Sequence, residues 1–135
     1  MARLYRSDRT LTRSASTAGW TDTVALRLLG RQGRILTVKL REDATYDDAT
    51  EATLYLVDTS GTVSAAPDDL DVVYESDTLA LAGSATAASL ADALPVPAPY
   101  AVDAIGNLRA AAYVSVSTGS TTTKLHVTVL AEVWD

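Results

Sequence analysis

The 135-residue chain lacks cysteine and phenylalanine, and it contains only four prolines, seven glycines and one histidine. Without cysteine, no disulfide framework, thiol nucleophile or thiolate metal site can form. No apolar run approaches the roughly 20 residues that a membrane-spanning helix needs. The first 17 residues are polar and rich in arginine, unlike the apolar segment of a secretory signal. We therefore expect a single domain with no membrane association, built around a core of leucine, valine and alanine.

Basic residues are almost absent after position 41. Residues 1–41 contain nine of the eleven lysines and arginines against two acids (+7), and residues 42–135 contain two basic residues against fifteen acids (−13). The acidic isoelectric point of about 4.6 argues against general binding to nucleic acid or to anionic membranes. The division of charge favours pairing between the two halves, within one chain or between copies, and hence an assembling, structural role.

Strand-forming patterns dominate the chain, which contains eighteen threonines and thirteen valines. Residues 21–29 and 34–41 alternate between apolar and polar side chains, and the segment Gly30-Arg31-Gln32-Gly33 between them predicts the turn of a β-hairpin. Similar patterns predict further strands at residues 52–57, 62–65, 72–75, 78–82, from Tyr100, 109–117 and 122–134. Residues 84–94 favour one short helix, because Ser84 can cap it and its alanines are good helix formers.

These elements predict an all-β fold, namely an antiparallel β-sandwich or jelly roll of about eight strands with one short helix and an extended N-terminal arm. We expect the arm to comprise residues 1–19 and the sandwich domain residues 20–135. The arm contains mediocre helix formers and few large apolar groups, so we expect it to be extended and to become ordered only against a partner. Deletion of residues 1–15 should then leave the sandwich folded and abolish assembly.

The sequence offers little catalytic chemistry. His126 is the lone histidine, no G-x-S-x-G nucleophile motif occurs, and no phosphate-binding P-loop is present. The acidic run from Asp68 to Asp77 does not match the EF-hand calcium loop. We therefore predict no enzymatic activity, no catalytic residue, no metal and no cofactor.

The strand-turn-strand phrase from Ala52 to Val63 (ATLYLVDTSGTV), within a cysteine-free body rich in Ala, Thr, Ser and Val, resembles small virion structural proteins of tailed bacteriophages. These include capsid decoration (cement) proteins and small β-sandwich modules of tails and baseplates. The resemblance implies an oligomer, with a trimer favoured, that is assembled in the host cytoplasm and located in the virion. Its partners would be the major capsid protein or other virion subunits, which its arms would reach.

Partner binding is predicted at two groups of residues. Guanidinium groups of the arm can pair with carboxylates, and its leucines and tyrosine can enter apolar pockets. Two tryptophans flank the folded body and can cap a core or enter a subunit interface. The predicted partner-binding residues are Arg3, Leu4, Tyr5, Arg6, Arg9, Leu11, Arg13, Trp20 and Trp134.

These residues also fit two other uses. In the alternative function, a tail or baseplate module, Trp20, Trp134 or Tyr100 would bind carbohydrate. The arginines could also grip phosphates, but only Tyr5 offers a stacking surface in the arm, and the acidic body would repel a duplex. Nucleic acid is therefore not among the predicted partners.

Overall fold

The computed structural model describes residues 3–14, 18–26, 32–42, 51–59, 61–64, 72–80, 89–101, 108–116 and 122–134. Within these ranges the chain forms strands and no helix, and so it contains no helix long and apolar enough to cross a membrane. The strands are β1 (Arg3–Ser14), β2 (Gly19–Trp20), β3 (Val24–Ala25), β4 (Gln32–Glu42), β5 (Glu51–Asp58), β6 (Val72–Glu75), β7 (Leu79–Ala80), β8 (Ser89–Ala101), β9 (Leu108–Val116) and β10 (Thr122–Trp134).

The strands form two antiparallel sheets. The first has the order β1-β10-β4-β8, and the second has the order β2-β9-β5-β6, with β3 also on β9 and β7 also on β5. Most connections carry the chain from one sheet to the other, as in double-sheet jelly rolls. The prediction of an all-β fold with antiparallel sheets is confirmed, and the two sheets are consistent with the predicted sandwich. Strands β5, β6, β9 and β10 lie where the sequence pattern predicted strands.

Two short interruptions in the second sheet are bridged by side-chain hydroxyls. Between β2 and β3, Thr21 N donates to the Ala112 carbonyl at 2.9 Å, while Thr21 Oγ1 accepts from Ala112 N at 3.0 Å. Between β6 and β7, Ser76 binds Leu54 in the same way, with both distances 2.9 Å. Each hydroxyl replaces a backbone carbonyl, so the central strands keep their buried N–H groups paired. Each sheet therefore has four strand positions, two of them in the second sheet occupied by interrupted strands.

The core lies between the sheets and follows the period-2 alternation of the strands. In β10 the buried residues run from Leu125 through every second position to Val133, all 1% exposed or less. In β9 the small Ala110 and Ala112 lie opposite Leu56 and Leu54 of β5, so small and large side chains alternate across the sheet. This packing of leucine, valine and alanine explains how the fold forms without phenylalanine.

The N-terminal segment belongs to the sandwich. Every residue of β1 pairs with β10, Leu11 is completely buried, and Ser7 is 3% exposed. The extended conformation predicted for this segment is correct, but the expectation that it becomes ordered only against a partner is wrong for residues 3–14. The period-2 pattern was masked because Arg9 and Arg13 occupy inward positions, where apolar residues normally indicate a strand.

The predicted hairpin of residues 21–41 is wrong as well. The second half of that segment, β4, lies in the first sheet between β10 and β8, whereas β3 pairs with β9 in the second sheet. Residues 27–31, which include most of the predicted turn, lie outside the described ranges. Alternation indicates that a segment is a strand, but it does not select the partner, and long-range pairing decides that here.

The predicted helix is wrong for those of its residues that the structure describes. Residues 89–94 belong to β8, which pairs with β4, and residues 84–88 lie outside the described ranges. Pairing with β4 gives the backbone of β8 the hydrogen bonds that a helix would have supplied, and tertiary pairing of this kind overrides helix propensity. Pro95, Pro97 and Pro99 are tolerated because β8 is an edge strand of its sheet.

Candidate partner-binding surface

The outer face of the first sheet presents a cluster of basic side chains. Arg6 comes from β1, His126 from β10, and Lys39 and Arg41 from β4; we call these four residues the basic face. They surround an open hollow of about 850 Å³ whose other lining residues include Thr10 and Thr128. The strand order β1-β10-β4 brings these residues together from three distant parts of the chain.

Asp8 balances part of this charge. Arg6 Nε lies 3.1 Å from the Asp8 carboxylate, and the Thr128 hydroxyl donates to the same carboxylate at 2.6 Å. The Thr128 hydrogen bond, together with Arg6, holds the pKa of Asp8 below its usual value. Lys39 and Arg41 are exposed, and so their charges give the hollow a net positive character. Such a surface can bind carboxylates or other anions.

The arginines of β1 do not form one surface. Arg9 Nη1 donates to the Ala25 carbonyl at 2.6 Å, and Arg13 donates to the carbonyls of Trp20 at 2.9 Å and Ala18 at 3.2 Å. These bonds tie β1 of the first sheet to β2 and β3 of the second. Arg9 and Arg13 therefore stabilise the sandwich itself, whereas Arg3 and Arg6 have exposed side chains.

The three apolar residues predicted as anchors differ in exposure. Leu4 is 65% exposed, Tyr5 is half-buried against the core, and Leu11 is fully buried within it. Of the three, only Leu4 offers a largely exposed apolar side chain to a partner.

Trp20 and Trp134 lie on opposite sides of the sandwich. Trp20 packs edge-on against Tyr55 and Tyr113 on the outer face of the second sheet, with ring centroids 5.3 and 5.2 Å away. Trp134 lies on the outer face of the first sheet, where its Nε1 donates to Glu132 at 2.9 Å. The two tryptophans therefore cannot form a single platform for a sugar ring.

Tyr100 is unsuited to a surface site. It is 4% exposed and packs in the core, where burial raises the pKa of its hydroxyl to about 12. Its hydroxyl would lie 2.9 Å from a Cβ placed on Gly33, and that Cβ would also collide with the Glu132 carbonyl. Glycine at position 33 is what allows β4, Tyr100 and β10 to approach one another this closely.

Exposed acidic side chains lie on the second sheet. Glu51 begins β5, Glu75 ends β6, and Asp77 follows two residues later. No group of three potential metal ligands gathers within the described ranges, and Asp68, Asp69 and Asp71 lie outside them. The sandwich thus presents a basic surface on one sheet and acidic side chains on the other.

Lys39, Arg41 and His126 were not among the residues predicted to bind a partner, yet they share the basic face with Arg6. Their outward positions followed from the alternation of β4 and β10, but nothing local showed that β1, β10 and β4 are neighbours. Thr10 Oγ1 lies 3.3 Å from His126 Nδ1 although 116 residues separate them in the sequence.

Comparison with known proteins identifies a fold. No model of a protein family matches the sequence, and no curated protein does. A chain in the cyanophage Pam1 capsid asymmetric unit is 19% identical, with a TM-score of 0.53 over 98% of this chain and 85% of that chain. The VP2 subviral particle of infectious bursal disease virus gives 12% identity and a TM-score of 0.48, over 98% of this chain and 33% of that chain. The SPBc2 prophage-derived protein YomS is 17% identical, with a TM-score of 0.38 over 95% of both chains. The first likeness shows that this chain has a β-sandwich fold also found in a viral capsid; the other two TM-scores are too low to support an argument.

Proposed function

We propose that this protein is a non-enzymatic structural protein of a virion, and specifically a capsid decoration protein that stabilises a shell by binding neighbouring capsid subunits. The observation that supports this most strongly is the fold, because its likeness to a chain of a cyanophage capsid covers 98% of this chain and 85% of that chain. The protein would assemble in the host cytoplasm and act by binding, without turnover.

The basic face is the surface that we assign to the shell. Lys39 and Arg41 are exposed on a sheet rather than on a loop, and neighbouring strands fix the positions of their backbones on both sides. Their charges suit carboxylates on a capsid subunit, and each charge-assisted hydrogen bond contributes about 1.5–3 kcal/mol. Repetition of one modest contact over a lattice then gives stable attachment.

The first test concerns location. Virus particles should be purified by density gradient from cultures of the organism that carries this sequence. They should contain this chain in many copies, as quantified by mass spectrometry. Its absence from intact particles, with the chain present in the soluble fraction, would contradict the virion role.

The second test concerns the surface. The double variant Lys39→Glu/Arg41→Glu should rebind particles stripped of the protein at least about a hundredfold more weakly than wild type, because it loses two contacts that contribute about 1.5–3 kcal/mol each. The matched control is Glu75→Lys/Asp77→Lys, which reverses two exposed charges on the second sheet and should rebind normally. Weak rebinding of the control with normal rebinding of the first variant would assign the contact to the opposite side of the sandwich.

A further inference from the structure

The two edges of the first sheet differ in their ability to accept another strand. Edge strand β8 contains three prolines (Pro95, Pro97 and Pro99), which have no N–H to donate and which protect sheet edges against strand addition. Edge strand β1 contains no proline. Of these two edges, only that of β1 therefore has a backbone N–H at every position.

Asp22 shows which backbone groups of β1 face this edge. Thr12 N donates to the Asp22 carboxylate at 2.7 Å, and Asp22 N donates to the Thr12 carbonyl at 3.1 Å, so the backbone groups of Thr12 point away from β10. Because backbone direction alternates along a strand, the N–H and C=O groups of residues 4, 6, 8 and 10 face the same edge. Asp22 covers that edge at Thr12. An open groove of about 340 Å³ follows it along residues 6–9.

We propose that this edge binds β1 of a second copy of the protein, antiparallel and across a two-fold axis at Ser7. In that register Arg6 lies opposite Asp8 of the second copy, and Leu4 lies opposite Thr10 of the second copy. The contact is isologous, so the pairing of Arg6 with the second copy's Asp8 occurs twice, once on each side of the axis.

The charges select this register over its neighbours. The two adjacent registers that keep the backbone groups facing each other place Arg6 opposite Arg6 or Asp8 opposite Asp8. Like charges directly opposite each other destabilise a strand pair, whereas opposite charges stabilise it. The spacing of Arg6 and Asp8 on one face of β1 therefore makes the edge complementary to itself in a single register.

The rest of the fold accommodates the contact. Pairing extends over residues 4–10, so the bonds between Thr12 and Asp22 remain intact beyond its end. Leu4, 65% exposed in the single chain, gains a neighbour across the new strand pair. The product is a closed dimer with one continuous sheet, and it does not require the virion role. It differs from the trimer that the phage resemblance implies.

Reversing the charge of Arg6, of Asp8 or of both tests the proposal. At roughly 100 µM, where an interface with a micromolar dissociation constant is close to saturation, sedimentation equilibrium should give wild type a mass of 28.4 kDa, twice the 14.2 kDa chain. Arg6→Asp alone and Asp8→Arg alone should each be monomeric. An equimolar mixture of the two variants should form a heterodimer, because one strand then presents two acids and the other two bases. The double variant Arg6→Asp/Asp8→Arg should dimerise again.

A matched control separates the effect of charge at the β1 edge from the general effect of reversing one surface charge. Lys39 lies on β4, away from the β1 edge. The variant Lys39→Asp changes the net charge by the same amount as Arg6→Asp, and it should remain dimeric. Thermal melting within a few degrees of wild type verifies that each variant is folded. A monomeric or trimeric wild type, a dimeric Arg6→Asp, or a mixture of the two variants that stays monomeric would each overturn the proposal.

Discussion

Removal of residues 1–15 is expected to abolish folding of the whole sandwich, and assembly only as a consequence. The deletion removes all of β1, uncovers one side of the central strand β10, and takes Leu11 out of the core. Loss of a fully buried leucine side chain alone costs about 2–5 kcal/mol, against a total stability of roughly 5–15 kcal/mol for a typical domain. Circular dichroism and thermal melting of the purified truncated chain provide the measurement.

The control for this deletion is removal of residues 1 and 2, which precede β1. That shorter deletion should melt as the full chain does. A chain lacking residues 1–15 that melts cooperatively, within a few degrees of the full-length protein, would restore the separate arm that the sequence predicted.

Replacement of Leu11 by alanine should destabilise the protein strongly, whereas replacement of Leu4 should not. Leu11 is fully buried between the sheets, so its truncation leaves a cavity and should lower the free energy of unfolding by about 2–5 kcal/mol. Leu4 lies on the same strand and is 65% exposed, and its replacement should change the free energy of unfolding by no more than about 0.5 kcal/mol. Urea denaturation of the two variants side by side provides the measurement.

The two leucine variants also distinguish a β1 that is part of the core from a β1 that is a partner-binding arm. If both leucines were anchors for a partner, both variants would unfold like wild type and lose binding to a similar degree. Equal urea midpoints for Leu11→Ala and Leu4→Ala would therefore contradict the position of β1 in the core.

What could be predicted from the sequence was the strand character of most segments and the absence of disulfide chemistry. The alternation of residues 122–134 was enough to identify β10 and its buried face. Pairing partners could not be predicted, because residues 21–29 and 34–41 fit a hairpin and an inter-sheet crossing equally well. For β1 the apolar pattern was weak, since Arg9 and Arg13 satisfy backbone carbonyls at inward positions.

The residues that make up the basic face could be predicted only in part. Arg6 was among the predicted partner-binding residues, and it does lie on the basic face. Lys39, Arg41 and His126 join it only because β10 lies between β1 and β4, which is a property of the whole fold. Charge counted along the chain therefore located the basic region, while the sheet order determined which of its residues share one surface.

The two proposed contacts are compatible. Dimerisation through the β1 edge would place two copies of the basic face on the same side of one continuous sheet. A particle surface with repeated carboxylates would then bind both at once, and the linked contacts would be stronger than either alone. Arg6 takes part in both contacts, so Lys39 and Arg41 are the residues that test attachment without disturbing the dimer.

Amide hydrogen exchange along β1, measured residue by residue by NMR, tests most directly whether this basic segment is part of the jelly roll. If it is, the amides of Tyr5, Ser7, Arg9 and Leu11, which face β10, should exchange as slowly as those of β10 itself. Exchange of all four at the rate of an unstructured chain would contradict the integration of β1, and with it the edge contact and the basic face that depend on it.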